Sequence, residues 1–257
     1  MARSARSSVT LIPLKMPKVG SRDDLCLILL KAMENRGLVL RRGDVVAVAS
    51  KVVSLCEGRT LPLSQVVSAK AQRLARRWHM DPRLAEIVIQ EAAETIGGVR
   101  GFLLTIKNGI LTANAGIDLK NAPHGTAVLW PTNPDKSASK IRMCLEKHFR
   151  TRLGVIVVDS RVTPMRLGTV GVALGVSGFV PVQDERGKSD LFGRKVKFTQ
   201  TNVADDIASS AHLLMGETGE KVGAVVVHNL KVHLSDSFDS KMTRLRKSSC
   251  LIANSLR

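Results

Sequence analysis

The order of apolar and polar positions along the chain divides it into short strands and amphipathic helices. Val9 to Leu14 predicts a strand halted by Pro13 and Pro17. Ser21 then predicts a helix cap, with Asp23 and Asp24 at the positive end of the dipole and Gly37 as the stop. Leu25, Ile28, Leu29 and Ala32 recur at helical spacing inside it. Asp44 to Ser50 is a run rich in β-branched residues, which predicts a buried strand. Ser64 to His79 and Pro82 to Ile96 predict two helices, the first with Lys70, Arg73, Arg76 and Arg77 mostly along one side. Phe102 to Ile106 and Ile110 to Asn114 flank Asn108-Gly109, the turn pair that supplies positive φ angles to a hairpin.

Further strands are predicted at Ala127 to Trp130, Gly154 to Asp159, Thr169 to Val176, Lys195 to Thr201 and Gly223 to His228. Helices are predicted from Pro134 to about Arg152 and from Asn202 to Met215. The polar, basic residues after Ser235 predict a loosely held tail or a terminal helix. Strands and helices interleave irregularly around one clear hairpin. That pattern predicts an α+β fold of mixed sheets with helices, not a strict parallel βαβ array.

At 257 residues the chain is long enough for one to two domains. Its 44% apolar and 24% charged residues exclude wholesale disorder. Charge is the unusual feature: 39 Lys and Arg against 22 Asp and Glu leave +17. The charge predicts a polyanionic partner, while six Phe, two Trp and no Tyr argue against one whose bases stack on the surface. Cys26, Cys56, Cys144 and Cys250 are scattered without a C-x-x-C pair, which predicts free thiols in a reducing cytoplasm. No run reaches the ~20 apolar residues that a membrane span needs. The first eight residues are basic and acid-free but lack a signal peptide's apolar core, and predict a frayed terminus.

No Walker loop, zinc-protease motif, nucleophile elbow or dinucleotide fingerprint occurs. The glycines from Gly168 to Gly178 lack a following Lys-Ser or Lys-Thr and read as close packing within a strand. Acids at the ends of buried elements carry more information. Asp118 follows the hairpin, Asp159 closes the strand from Val155 to Val158 just before Ser160, and Glu217 follows a helix that ends in glycine. Three carboxylates and a hydroxyl suit a hard cation that bridges phosphates. Singly, each is more often a turn or cap residue. The six histidines form no cluster in sequence. The basic runs 70–77, 147–152 and 241–247 read as solvated faces or as an electrostatic funnel for phosphates.

Eight segments in order resemble the gamma-glutamyl ligase family of deazaflavin coenzyme F-420 biosynthesis. They are Ile12-Pro13-Leu14-Lys15; Gly43-Asp44-Val45-Val46 leading to Ser50, Val53-Ser54 and Glu57-Gly58-Arg59; and Asn114-Ala115-Gly116-Ile117-Asp118 with Asn121. Then come Pro134-Asp135 with Ser137-Ala138 and Ile141-Arg142, followed by Gly154 to Ser160. Asp190 to Arg194, Ala204 to Ala208 and Leu214 to Glu217 complete the set, which runs from about residue 11 to about 232. The resemblance implies one ligase domain of two closely associated subdomains, residues 10–80 with 190–235 and residues 81–189, followed by a basic tail at 236–257. It also implies a cytoplasmic homodimer with its site near the subunit interface.

The activity so implied is GTP-dependent addition of L-glutamate, through its amine, to a carboxylate of the deazaflavin precursor by way of an acyl phosphate. Mg²⁺ or Mn²⁺, as two ions, is the implied cofactor, with K⁺ a further candidate. By position, Asp118, Asp159, Ser160 and Glu217 correspond to metal ligands, Asp159 and Asp118 being the catalytic acids. Ile12, Pro13, Leu14, Lys15, Ser50, Lys51 and Asn121 correspond to nucleotide contacts, as does the loop of Met215, Gly216, Glu217, Thr218, Gly219, Glu220, Lys221 and Val222. Two departures stand out: Leu55 replaces a nucleotide-contacting lysine, and Val162-Thr163 replaces the Gly-Arg that usually follows the Asp-Ser pair. Lys51, Lys15, Arg161 and Arg166 are the nearby cations. These departures leave two alternatives: a family member with a changed acceptor or nucleotide, and a basic nucleic-acid-binding protein on an inactive ligase scaffold.

Overall fold

The computed structural model describes residues 8–21, 23–64 and 66–255; most of the frayed terminus expected at residues 1–8 lies outside them. The strands are β1 (Thr10–Lys15), β2 (Val45–Ala49), β3 (Thr60–Pro62), β4 (Glu94–Val99), β5 (Phe102–Lys107) and β6 (Ile110–Ala113). β7 (Thr126–Val128), β8 (Gly154–Val162), β9 (Thr169–Ser177), β10 (Val182–Asp184), β11 (Gln200–Asn202) and β12 (Val222–His228) follow. The α-helices are α1 (Leu25–Glu34), α2 (Ser50–Cys56), α3 (Ala69–Trp78), α4 (Pro82–Glu91), α5 (Pro134–Phe149), α6 (Val203–Met215) and α7 (Leu251–Ser255). Mixed sheets with helices make this an α+β fold.

The main sheet has the order β1-β12-β2-β8-β9 and is antiparallel except where β2 and β8 run parallel. β2 and the first five residues of β8 are buried on both faces, as their unbroken apolar runs require. Leu29 and Met33 of α1 and Ala138, Ile141 and Leu145 of α5 fill the core on one face. Ala204, Ile207, Ala208 and Ala211 of α6 fill it on the other. A smaller antiparallel sheet, β4-β5-β6, shares its apolar cluster with α3 and α4 through Leu74, Trp78, Leu84, Val88 and Leu103.

β9 ends the main sheet, and an open edge invites pairing with another chain. Helix side chains cover it. Asp205 of α6 accepts a hydrogen bond from the Ala173 N–H at 2.9 Å, and Asp135 of α5 accepts one from the Val176 N–H at 2.9 Å. Glycine lets the helices come this close: a Cβ on Gly171 would overlap the Ala208 carbonyl, and one on Gly175 would overlap the Pro134 backbone. The strand reading of the glycine-rich stretch is thereby explained.

Several boundaries differ from the sequence reading. Asp24, not Ser21, caps α1, because its carboxylate reaches the N–H groups of Cys26 and Leu27. α3 starts only at Ala69, capped by Ser68, and α4 stops at Glu91. Residues 94–96, expected as the end of that helix, instead open β4 (Glu94–Val99), where Gly98 leaves room for the Trp78 ring. The strand expected at 195–201 shrinks to β11, paired with β10. Cys26 and Cys144 are joined as a disulfide between α1 and α5, with Cα atoms 6.4 Å apart, so only Cys56 and Cys250 are free thiols. Helix neighbours, which residue spacing does not reveal, decide that pairing. Among the described residues no helix is long and apolar enough to cross a membrane.

Gly171→Ala is expected to destabilise the fold by about 1–3 kcal/mol, since the strand must move away from α6. A thermal melt should show this as a fall in Tm of about 2–12 °C; an unchanged Tm would show that the close approach is not needed.

Candidate active site

The parallel register of β2 with β8 builds the floor of the site. Ala49 lies opposite Val158, so Ser50, where the chain leaves β2 to start α2, stands beside Asp159. β8 does not end at Asp159, as the sequence suggests, but runs on to Val162 with Asp159 opposite Val172 of β9. Ser50 Oγ donates to Asp159 Oδ1 at 3.0 Å, and the indole N–H of Trp130 donates to Oδ2. Burial pushes the Asp159 carboxyl above its ordinary range, opposed by the hydrogen bonds from Trp130, the Ser160 backbone and Ser50, while the charge of Asp118 raises it further. Every direct donor to Asp159 is neutral, and among the described residues it has no ion pair.

Asp118 is delivered by the end of the hairpin. The 3-10 turn Asn114–Gly116 follows β6, with Asn114 and Ala115 both at positive φ. Asn114 Oδ1 accepts from the Leu103 N–H at 2.8 Å, and Thr105 Oγ1 accepts from the Ala115 N–H at 2.9 Å. Asp118 then exchanges both backbone hydrogen bonds with Val128. Its side chain meets Lys51 Nζ at 2.5 Å, and the same ammonium donates to the Lys120 carbonyl at 2.9 Å.

Glu217 lies just beyond α6, after Gly216 at φ 70°. Oε1 takes hydrogen bonds from Thr169 Oγ1 at 2.8 Å and His212 Nε2 at 2.9 Å, and Lys120 Nζ is 3.3 Å from Oε2. Desolvation opposes its charge, but the hydrogen bonds from His212, Thr169 and Lys120 outweigh it and hold the carboxyl at about 2. Asn121 Nδ2 donates to the Thr218 carbonyl at 2.7 Å, tying the loop after Asp118 to the loop after α6.

These residues line one cleft of about 660 Å³, a volume ordinary for a small-molecule site. Asp118, Asp159, Ser160, Glu217, Ser50, Lys51, Asn121 and the whole loop from Met215 to Val222 are on its wall. Ile12, Pro13, Leu14 and Lys15 are not. They belong to β1, where Leu14 is fully buried in the core, and the cleft wall begins only at Met16. Of the nearby cations, Lys51 lies in the cleft and Lys15 does not. Arg161 is held 3.5 Å from Asp205, Arg166 is exposed, and Leu55 lines the cleft itself.

Three contributors were not legible. Trp130 and Thr169 are remote in sequence from the acids they touch. His212 sits five residues before Glu217, a spacing that becomes a contact only because Gly216 turns the chain back.

The donor set fits a hard divalent cation in kind: three carboxylates and a hydroxyl, with Asp159 lacking a counter-charge. Its present arrangement holds Asp118 and Glu217 on lysines. Among the described residues no three His, Cys, Asp or Glu side chains are gathered closely enough to hold an ion.

The family model for F420-0:Gamma-glutamyl ligase matches residues 13–229. The Coenzyme F420:L-glutamate ligase of Methanothermobacter thermautotrophicus is 38% identical over 214 residues, covering 82% of this chain and 85% of that protein. The ligase of the same name from Methanopyrus kandleri is 38% identical over 225 residues, 87% of each chain. That from Halorubrum lacusprofundi is 38% identical over 232 residues, 88% of each.

Because Glu217 is held below the ordinary carboxylate range, its contribution to stability is complete above about pH 4.5 and is lost as pH falls toward 2. The Tm gap between the wild type and Glu217→Gln should therefore narrow through that interval. A gap independent of pH would contradict the assignment.

Proposed function

The chain belongs to the F420-0:gamma-glutamyl ligase family, and we propose that it joins L-glutamate by an amide bond to the carboxylate of a coenzyme F-420 precursor, at the expense of GTP. The observation that carries this reading is the convergence of Asp118, Asp159, Ser160 and Glu217, far apart in sequence, on one cleft with Lys51, Lys18 and Lys221. A cleft holding both signs of charge suits a phosphate chain together with the cations that neutralise it.

A free carboxylate is a poor acyl donor because oxide is its leaving group. Moving the γ-phosphoryl group of GTP onto the precursor's carboxylate makes an acyl phosphate. The amine of glutamate attacks that carbonyl, phosphate departs as the C–O bond breaks, and the amine proton passes to a base or to water. Two divalent ions, Mg²⁺ or Mn²⁺, would neutralise the phosphate oxygens during the transfer. Asp118, Asp159, Ser160 and Glu217 would hold them, and K⁺ is a further candidate.

The chain's own groups do the rest. Lys51 and Lys120, now on Asp118 and Glu217, would turn toward phosphate oxygens if those carboxylates held ions. Asn121 and the loop from Met215 to Val222 enclose the nucleotide, and Ser50 keeps Asp159 in place. Met165, Leu167, Leu191, Phe192 and Phe198 are largely exposed on the connections flanking β9 and β10, and we read them as part of a homodimer contact.

A second reading is favoured by one residue. Leu55 puts an aliphatic side chain on the cleft wall where the family carries a lysine, which fits a member with an altered acceptor or nucleotide. The nucleic-acid-binding alternative leaves the gathered acids without a role.

Incubation with the precursor, glutamate, GTP and Mg²⁺ or Mn²⁺ should give a product heavier by glutamyl residues, with GDP released only when all four are present. Asp159→Asn should lower turnover by at least ~100-fold, the upper range seen when metal-site supporting groups are lost. Near-wild-type turnover in that variant would reject the proposal. Product formed only with a different nucleotide or amino acid would favour the second reading.

A further inference from the structure

We propose that Trp130 is a positioning residue that fixes the Asp159 carboxylate for cation binding. The inference rests on the reading of Asp159 as a metal ligand.

Trp130 is 2% exposed and belongs to the main apolar core, so packing alone would account for a large ring at this position. Packing does not account for where its one polar atom points. The indole N–H can only donate, and it donates to Asp159 Oδ2. The other side-chain donor, Ser50, is a hydroxyl whose proton swings freely, so it satisfies Oδ1 without fixing it. The ring, by contrast, gives a direction.

The ring and its main chain are fixed at three points. Gly116 leaves open the space at the indole edge, and a Cβ there would overlap Nε1 and Cε2. Lys107 Nζ stands 5.6 Å from the ring centroid, anchored at 2.6 Å by Glu91. Arg59 Nε donates to the Trp130 carbonyl at 3.1 Å while its Nη2 meets the same Glu91 at 3.1 Å. One largely buried charge cluster, Arg59–Glu91–Lys107, therefore fixes both the main chain and the ring face of Trp130. Gly116 also lies two residues before Asp118, so the segment that delivers one acid makes room for the group that aims another.

The consequence is chemical. A carboxylate has about four lone-pair sites; the indole occupies one on Oδ2 in a fixed direction and leaves others free. Hydrogen bonds of this kind to ligating carboxylates typically contribute 10–100-fold in metal affinity. Phenylalanine would keep an aromatic ring in the core and delete the donor, leaving a void beside Gly116 where the indole edge lay.

Mn²⁺ binding by the full chain, followed by the electron paramagnetic resonance of free Mn²⁺ with GDP present and no turnover, separates these roles. Trp130→Phe should bind Mn²⁺ about 10–100-fold more weakly and lose kcat with little change in KM for glutamate. Trp78→Phe, which removes the only other tryptophan, should match the wild type. Equal Mn²⁺ affinity in Trp130→Phe and wild type overturns the inference and leaves the ligase reading standing; no Mn²⁺ binding in either takes both down. Should Trp130→Phe fail to fold, the Trp78→Phe chain carries the test. Its sole indole emission should be quenched by Mn²⁺ and not by Mg²⁺, and identical emission with both ions overturns the proposal.

Discussion

The parallel pairing of β2 with β8 is the constraint on which the site depends. Parallel strands advance in the same direction, so the residue that follows β2 must stand beside the residue of β8 just past the last pair, Ala49 with Val158. Ser50 and Asp159 are those residues, and their hydrogen bond follows from a register fixed by the buried valines below them. A slip of one residue would turn every side chain of the strand to the opposite face, and with it the carboxylate. The chemistry at the sheet edge thus rests on apolar packing that itself carries no chemistry.

The other acids reach the same place by different means. Asp118 comes from a backbone forced through two successive positive-φ residues, held there by Asn114 and Thr105. Glu217 comes from the glycine turn after α6, a helix whose first turns are docked on β9 by Asp205 and Ser209. Each acid in the present arrangement is stabilised differently: Asp118 by a lysine, Glu217 by a lysine, a histidine and a threonine, and Asp159 by neutral donors alone. Asp159 is accordingly the group with most to gain from a cation.

The hydrophobic pattern made much of this legible. The Asn108-Gly109 hairpin lies where its positive-φ pair requires, and the apolar runs at 45–49 and 154–158 became the central strands. The cleft joins Asp118, Asp159 and Glu217, the acids singled out at the ends of buried elements, although β8 runs past Asp159 to Val162. The pattern failed where tertiary contacts decide. Residues 94–96 continue the apolar sequence of α4 and so mimic helix, yet they open β4, where Gly98 lets the strand lie against the Trp78 ring. Cys26 and Cys144 gave no sign of pairing, since 118 residues separate them. Trp130, read only as the end of a strand, touches Asp159 through an atom whose aim depends on Gly116, Lys107 and Arg59 together.

Manganese anomalous diffraction from crystals grown with GDP and Mn²⁺ would test the central claim most directly. The account predicts a peak bonded to Asp159 and shared with Asp118 or Glu217, with Lys51 or Lys120 displaced from its carboxylate toward the nucleotide phosphates. A nucleotide bound elsewhere, or an Asp159 still surrounded only by Trp130 and Ser50 while the lysine pairs remain closed, would contradict it.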